Sequence, residues 1–421
     1  MSIAPATPPS SASWKWWVSG LLLLATMINY MDRQTLANLS VRITDEFGLS
    51  QEQYGDIELV FGWGFAVGSL TFGILADRIN VRVLYPVVLL GWSAVGVATG
   101  LSRGHGSLLA CRAILGFFEA GHWPCALRTT QSTLSADDRL MGNSVLQSGA
   151  SLGAIFTPLV IRAIVGGNTA PGVWRLPFLI VGAAGAVWVI AWLALVRRGD
   201  LKMDGQTTGD DSARKSAWWT GLAGDRRFWA LVIMVVCINS VWQLIRAWLP
   251  KFLQQGRGYD EASMLYFNSA YYVATDVGCL LAGGLGLWLA RHGLQAHRAR
   301  LLVFGLCSIL AALTTLAAAL PRGWPLLAVL LIIGASTLGL FPCYYSFTQE
   351  MGRQHVGKAT GLLATIAWVA SAPLQKFFGR LVDQTGSFDL GLAVIGWAPC
   401  VALGAMLLLW RHGEAQDAET G

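Results

Sequence analysis

Charge is what this sequence has least of. Only 13% of its 421 residues are Asp, Glu, Lys or Arg, while 54% are hydrophobic. A soluble domain carries about a quarter charged residues, so a large water-soluble core is excluded. Cysteine is sparse as well. Cys111, Cys125, Cys237, Cys279, Cys307, Cys343 and Cys400 all lie in apolar runs, and none forms a close CxxC pair. They read as small buried hydrophobes, which argues against a disulfide framework or a thiolate metal site. The 6 histidines make no HExxH or similar cluster, so neither metal nor cofactor is expected. No nucleophile–base pair stands out, and an enzyme is not expected. The N-terminus, MSIAPATPPSSASWKWW, shows no signal-peptide cleavage pattern and reads as a short disordered tail.

What the sequence has instead is apolar length. A membrane-spanning helix needs about 20 mostly apolar residues. That rule predicts spans at 17–40, 55–75, 83–101, 108–127, 141–161 and 178–196, and again at 228–249, 264–290, 301–320, 324–347, 359–381 and 390–410. The polar stretch 197–227 divides them six and six, and its Gly, Ser, Thr, Asp and Lys content reads as a linker. With both termini on one side, most of the 30 Lys and Arg residues fall on that side, which makes it the cytoplasmic one. The net charge of +6 therefore reports topology, and no nucleic acid partner is expected. The expected organisation is a tail at 1–13, a six-helix half at 14–198, a linker at 199–227, a second half at 228–412 and a tail at 413–421. Two six-span halves suggest a parallel repeat with a solute site at the midplane between them.

The few charges inside the spans carry the functional reading. Residues 21–37 read LLLLATMINYMDRQTLA, which places Asp32 and Arg33 well inside an apolar run. Each such charge costs about 2.5–3.5 kcal/mol at a helix centre on insertion scales. They form either a buried ion pair that fixes helix packing or a site for a charged solute and a proton. In the fourth span, CRAILGFFEAGHWP, Arg112 and Glu119 lie two turns apart on one face. Asp32, Arg33, Arg112 and Glu119 sum to zero charge. Such a set links proton and anion, because a protonated carboxyl frees its arginine for an anion. In the second half Asn239, Gln243 and Arg246 share one helix face, and Asn268, Tyr272 and Asp276 share another. Arg246 either pairs with Asp276 or makes a second anion contact. Tyr344 and Tyr345 in the tenth span, and Gln147, Ser148 and Ser151 in the fifth, are further candidates for the cavity lining.

The loop at 73–82, GILADRINVR, resembles the signature of the major facilitator superfamily, with Asn80 where that family usually has glycine. The resemblance implies a twelve-helix, all-α membrane fold in which Asp77, Arg78 and Arg82 latch the halves on the cytoplasmic side. A weaker echo, GGLGLWLARHG at 283–293, occupies the corresponding loop of the second half. The segment NYMDRQTLAN at 29–38, the fourth-span Arg112 and Glu119, Trp248-Leu249-Pro250 and Asp276-Val277-Gly278 are similar to the anion:cation symporter family within it. This implies that Arg33 binds a substrate carboxylate, that Tyr30 lines the site, and that Asp32 and Glu119 carry or relay the proton. Phe65 stands where several relatives have a tyrosine.

The expected function is proton-coupled import of an organic anion, a hexuronate or related sugar acid, by a monomer in the inner membrane. Candidate substrate contacts are Tyr30, Arg33, Phe65, Arg112, Gln147, Gln243, Arg246, Tyr272 and Tyr345. The alternatives are an exporter or uniporter of a neutral or cationic compound on the same fold, and a sensor that binds without transporting. The short linker and tails argue against the sensor, and the two arginines of a neutral charge set argue against a cation carrier.

Overall fold

A computed structural model of the protein describes residues 12–135, 138–197, 199–201, 224–350 and 356–410. The expected C-terminal tail, residues 1–11 of the expected N-terminal tail and most of the expected linker lie outside the described residues, and Ala12 and Ser13 open the first helix instead. Within them the secondary structure is helical throughout, and helix runs cover all twelve expected spans. We number the helices α1 (Ala12–Asn38), α2 (Ser40–Phe47), α3 (Gln51–Arg78), α4 (Val81–Gly100), α5 (His105–Glu119), α6 (His122–Thr133), α7 (Arg139–Val165) and α8 (Arg175–Leu195) in the first half. The second half holds α9 (Arg226–Lys251), α10 (Glu261–Arg291), α11 (Ala296–Ala311), α12 (Thr314–Ala319), α13 (Trp324–Gln349), α14 (Val356–Thr385), α15 (Asp389–Ile395) and α16 (Ala398–Leu409).

Among the described residues, 9 helical segments are long and apolar enough to cross a membrane. The spans missing from that set are α1, the α5–α6 pair and α14, which carry Asp32 and Arg33, Arg112 and Glu119, and Lys376 and Arg380. These charges lower the mean hydropathy of the three spans. The fourth span is not one helix as expected. It breaks at Ala120–Gly121, directly after Glu119, and Pro124 sits in the first turn of α6, where a missing N–H costs little. The ninth and twelfth spans also break, at Ala312–Leu313 and Gly396–Trp397. These two breaks pack together, for Gly396 lies against the side chain of Thr314. The short helix α2, lying between the first two spans, was not expected.

Glycines set the close approaches. A Cβ on Gly116 would meet the backbone of Phe61 and Phe65, so α5 lies directly on α3. Gly149 and Gly153 face the backbone of Leu23 and Met27, which brings α7 onto α1. Between the halves, Gly62 of α3 leaves room for Ala372 of α14, where a Cβ would come within 2.7 Å of the alanine Cβ.

The two halves are joined unevenly along their length. At the end remote from the termini, Arg42 of α2 grips Glu261 of α10 through two bonds of 2.6 and 2.5 Å. Arg380 reaches Glu52 at 2.7 Å, and Lys376 reaches Asp56 at 2.9 Å. The Asp383 carboxylate accepts the backbone N–H groups of Gln51 and Glu52 at 2.9 and 2.8 Å, so α14 caps the N-terminus of α3 across the interface. Lys251, just beyond the seventh expected span, is fully buried there, donating to Thr44 and Gln51 at 3.0 Å each. At the end that carries the termini, the named polar links stay within a half. Lys15 bonds Asp138 at 2.6 Å, and His297 meets Glu350 at 3.0 Å. The Lys15 ammonium, helped by the Ser135 hydroxyl, holds the Asp138 carboxyl below its usual range. Asp77 pairs with Arg128, and Arg82 donates to the Val196 carbonyl at 2.8 Å. These bonds of the expected cytoplasmic latch lie inside the first half, and Arg78 is exposed. The bundle is thus closed at the remote end.

Candidate functional site

Adjacent residues on a helix point about 100° apart, so Asp32 and Arg33 face different neighbours. Arg33 turns toward α5 and donates through Nε to Glu119 Oε2 at 2.5 Å, while its Nη2 donates to Asn29 at 3.0 Å. Three rings surround its guanidinium: Phe65 at 4.8 Å, Tyr30 at 5.2 Å and Phe61 at 5.6 Å. Aromatic faces of this kind favour a cation that is shielded from water. Phe65, where a tyrosine was expected from the resemblance, contributes its ring face and packs on Trp368 at 4.7 Å. Asp32 turns toward α4. Its Oδ1 lies 3.1 Å from where a Cβ on Gly96 would stand, so the glycine makes room for the carboxyl. Both Asp32 oxygens are buried without a hydrogen-bond partner.

The second cluster was only partly foreseen. Arg112 and Glu119 do share a helix, but they do not pair with each other. Glu119 is taken by Arg33, and Arg112 donates to Glu58 Oε1 at 3.3 Å. Counter-charges on the neighbouring helices α1 and α3 come nearer than a partner two turns along α5. Glu58 Oε2 in turn accepts from Arg246 Nη2 at 2.5 Å, across the two halves. The possible Arg246–Asp276 pair is therefore not formed. Asp276 instead accepts from the Ser151 hydroxyl at 2.8 Å, which is a second link between the halves. Glu58 was missed altogether by sequence reasoning. It stands within the second expected span and shares a helix face with Tyr54, Phe61 and Phe65, at i−4, i+3 and i+7. That spacing was the available signal.

The other expected residues are distributed as follows. Gln243 accepts from Arg246 Nε at 2.8 Å. Tyr272 accepts from Gln34 at 2.5 Å, another contact across the halves. Tyr345 is 51% exposed and lies beside Tyr344 and Phe341. Gln147 is exposed on α7. The structure therefore brings Tyr30, Arg33, Phe65, Arg112, Glu119, Gln243 and Arg246 into one connected set, with Tyr272 at its edge, and leaves Gln147 and Tyr345 without a bond to it.

The set has spare bonding capacity. Arg112 Nε and Nη1, Arg246 Nη1, Glu119 Oε1 and Gln34 Oε1 are buried and lack hydrogen-bond partners, as do both oxygens of Asp32. Buried polar groups in folded proteins are nearly always paired. Unsatisfied guanidinium donors contributed by both halves are suited to receive an anion that carries several acceptor oxygens. Among the described residues no group of His, Cys, Asp and Glu could hold a metal ion.

Comparison with known proteins bears on the family and the fold. The family model of the Major Facilitator Superfamily matches residues 22–374. The hexuronate transporter of Escherichia coli strain K12 is 24% identical over 407 residues, covering 91% of this chain and 93% of that protein. A probable sulfoacetate transporter of Cupriavidus necator is 27% identical, covering 90% of each chain. A probable L-galactonate transporter of Escherichia coli strain K12 is 25% identical and covers 93% of this chain and 88% of its own. Among solved structures, the inward-open xylose transporter of Escherichia coli superposes with a TM-score of 0.75 at 13% identity, covering 96% of this chain and 98% of that one. A bacterial homologue of the human lysosomal transporter Spinster, inward-facing and unoccupied, superposes with a TM-score of 0.73 at 17% identity over 95% of this chain and 96% of its own.

Proposed function

The chain belongs to the Major Facilitator Superfamily, and from that premise we propose that it imports a hexuronate or related sugar acid together with protons, by alternating access. It is a multi-pass membrane transporter of the kind that handles small organic anions, and not an enzyme. The observation that carries the finer reading is the buried charge set between the halves. Arg33, Arg112 and Arg246 face only two paired carboxylates, Glu58 and Glu119, while Asp32 has no partner.

A charged, unbonded carboxylate carries a large desolvation penalty in such a place, and Asp32 is the group that takes up the proton travelling with the substrate. With Asp32 neutral, the set carries one excess positive charge, the complement of one substrate carboxylate. Arg33 grips that carboxylate, and Tyr30, Gln243 and Tyr272 meet the sugar hydroxyls. Once the anion leaves, the remaining charge is relieved by losing the proton, with Glu119 sharing it as Arg33 changes partner. Anion and proton thereby travel together. Asp77, Arg78 and Arg82 form the cytoplasmic latch in the alternate state, when the end near the termini closes.

The chain lies in the inner membrane as a monomer, with both termini in the cytoplasm. The remote end, closed here, then faces outward and the site opens to the cytoplasm. Reporters fused after Arg411 and inserted at Gly209 are expected to read cytoplasmic, and a periplasmic signal from either breaks this orientation.

The decisive test is uptake into proteoliposomes of glucuronate, galactonate and galactarate, with xylose as the neutral control. Accumulation of at least one acid is expected under an inward proton gradient, and it should collapse with a protonophore. Transport of xylose alone, or acid uptake indifferent to the gradient, rules the reading out.

A further inference from the structure

We propose that Glu58 is a resident substitute for the substrate, an internal carboxylate that occupies an anion subsite between Arg112 and Arg246 while the carrier is empty. The inference rests on the anion-transport reading above and adds a second anionic contact to it. Glu58 belongs to α3 of the first half, and Arg246 belongs to α9 of the second. Their bond of 2.5 Å is buried, with side-chain exposures of 1% and 5%. Among the described residues it is the ionic link between the halves at the level of the site, since the other charged links between them cluster at the remote end.

A permanent structural triad would satisfy its donors. This one does not. Arg112 keeps Nε and Nη1 unbonded and Arg246 keeps Nη1 unbonded, all of them buried. Glu58 supplies two oxygens, one to each arginine, where the two guanidiniums can engage more. An incoming carboxylate or sulfonate offers additional acceptors to the same donors. It displaces Glu58 from Arg246, and Glu58 falls back on Arg112 alone. The fit is to a solute with two anionic ends, one on Arg33 and one on Arg246, and its second charge is balanced by a second proton on the carboxylates it displaces. A solute with one anionic end leaves Glu58 in place. Displacement also loosens the ionic tie between the halves at the level of the site.

The experiment compares purified full-length wild type, Glu58→Gln and Glu58→Asp by thermal unfolding in detergent, titrated with inorganic sulfate and separately with galactarate and glucuronate. Glutamine keeps the size of the side chain and one acceptor oxygen but removes the competing charge. For Glu58→Gln the sulfate concentration giving half-maximal stabilisation is expected to fall about tenfold, equivalent to about 1.4 kcal/mol, with a smaller fall for Glu58→Asp. Galactarate should gain in parallel and glucuronate should change little. An unchanged or higher sulfate midpoint in Glu58→Gln overturns the proposal. So does failure of both variants to yield folded protein, since Glu58 is then a structural counterion. If sulfate behaves as expected while neither sugar acid stabilises any form, the subsite stands and the sugar-acid reading fails.

Discussion

Arg33→Lys is expected to cut uptake at least about tenfold in a protein that still folds. The Arg33 guanidinium uses Nε and Nη2 on different partners, Glu119 and Asn29, and presents its plane to Phe65 and Tyr30. A carboxylate arriving from the cavity exchanges with Glu119 on a planar fork that is already oriented. Lysine keeps the charge, so the buried Glu119 is not left without a cation and the helices stay together. What is lost is the second bond and the stacking. Losing one charge-assisted bond of about 1.5–3 kcal/mol lowers the rate by roughly ten- to a hundredfold or more. The measurement is initial uptake in proteoliposomes, with folded protein verified by size-exclusion chromatography. Uptake of the lysine variant at the wild-type level would reduce Arg33 to a generic positive charge.

Asp32→Asn is expected to separate transport from its driving force. Asparagine imitates a permanently protonated carboxyl and fits the space that Gly96 leaves. The variant should bind substrate and exchange it when substrate is present on both sides. It should not accumulate substrate against a gradient, because no proton is taken up and released. Counterflow and gradient-driven uptake measured on the same liposomes distinguish these. Wild-type accumulation by Asp32→Asn transfers the coupling role to Glu119, and Glu119→Gln then becomes the variant that must fail. Loss of counterflow together with accumulation makes Asp32 a group needed for folding or binding instead.

The helix count and the six-plus-six division were legible because the bilayer imposes them on composition: backbone buried in lipid must bond internally, and apolar length follows. Asp32, Arg33, Arg112 and Glu119 were legible for the same reason, as charges where few are tolerated. Their pairing was not. Spacing along one helix places Arg112 and Glu119 on a common face but says nothing of what α1 and α3 bring to that face. Arg33 and Glu58 arrive from those helices and take one partner each. Glu58 escaped notice because it follows Asp56 near the start of its span and looks like the last charge of a loop. The two differ by two residues. One meets Lys376 at the remote end, and the other lies buried between two arginines. The breaks in the fourth, ninth and twelfth spans were hidden too, because hydropathy does not register where a helix changes direction.

The closure at the remote end differs in kind from the charge set at the centre. Apart from buried Lys251, its links are partly exposed: Glu52, Asp56, Lys376 and Arg380 all reach solvent. Each exposed ion pair contributes about 0–1 kcal/mol, and the interface is assembled from several of them. Removing one alters the balance between the open and closed ends by less than about a factor of ten. The rim can therefore accept substitutions one at a time while the carrier continues to cycle, and it offers room for adaptation to media of different salinity. The centre has no such redundancy, for its three arginines share only two paired carboxylates. Evolutionary drift should accumulate at the rim and stop at the core.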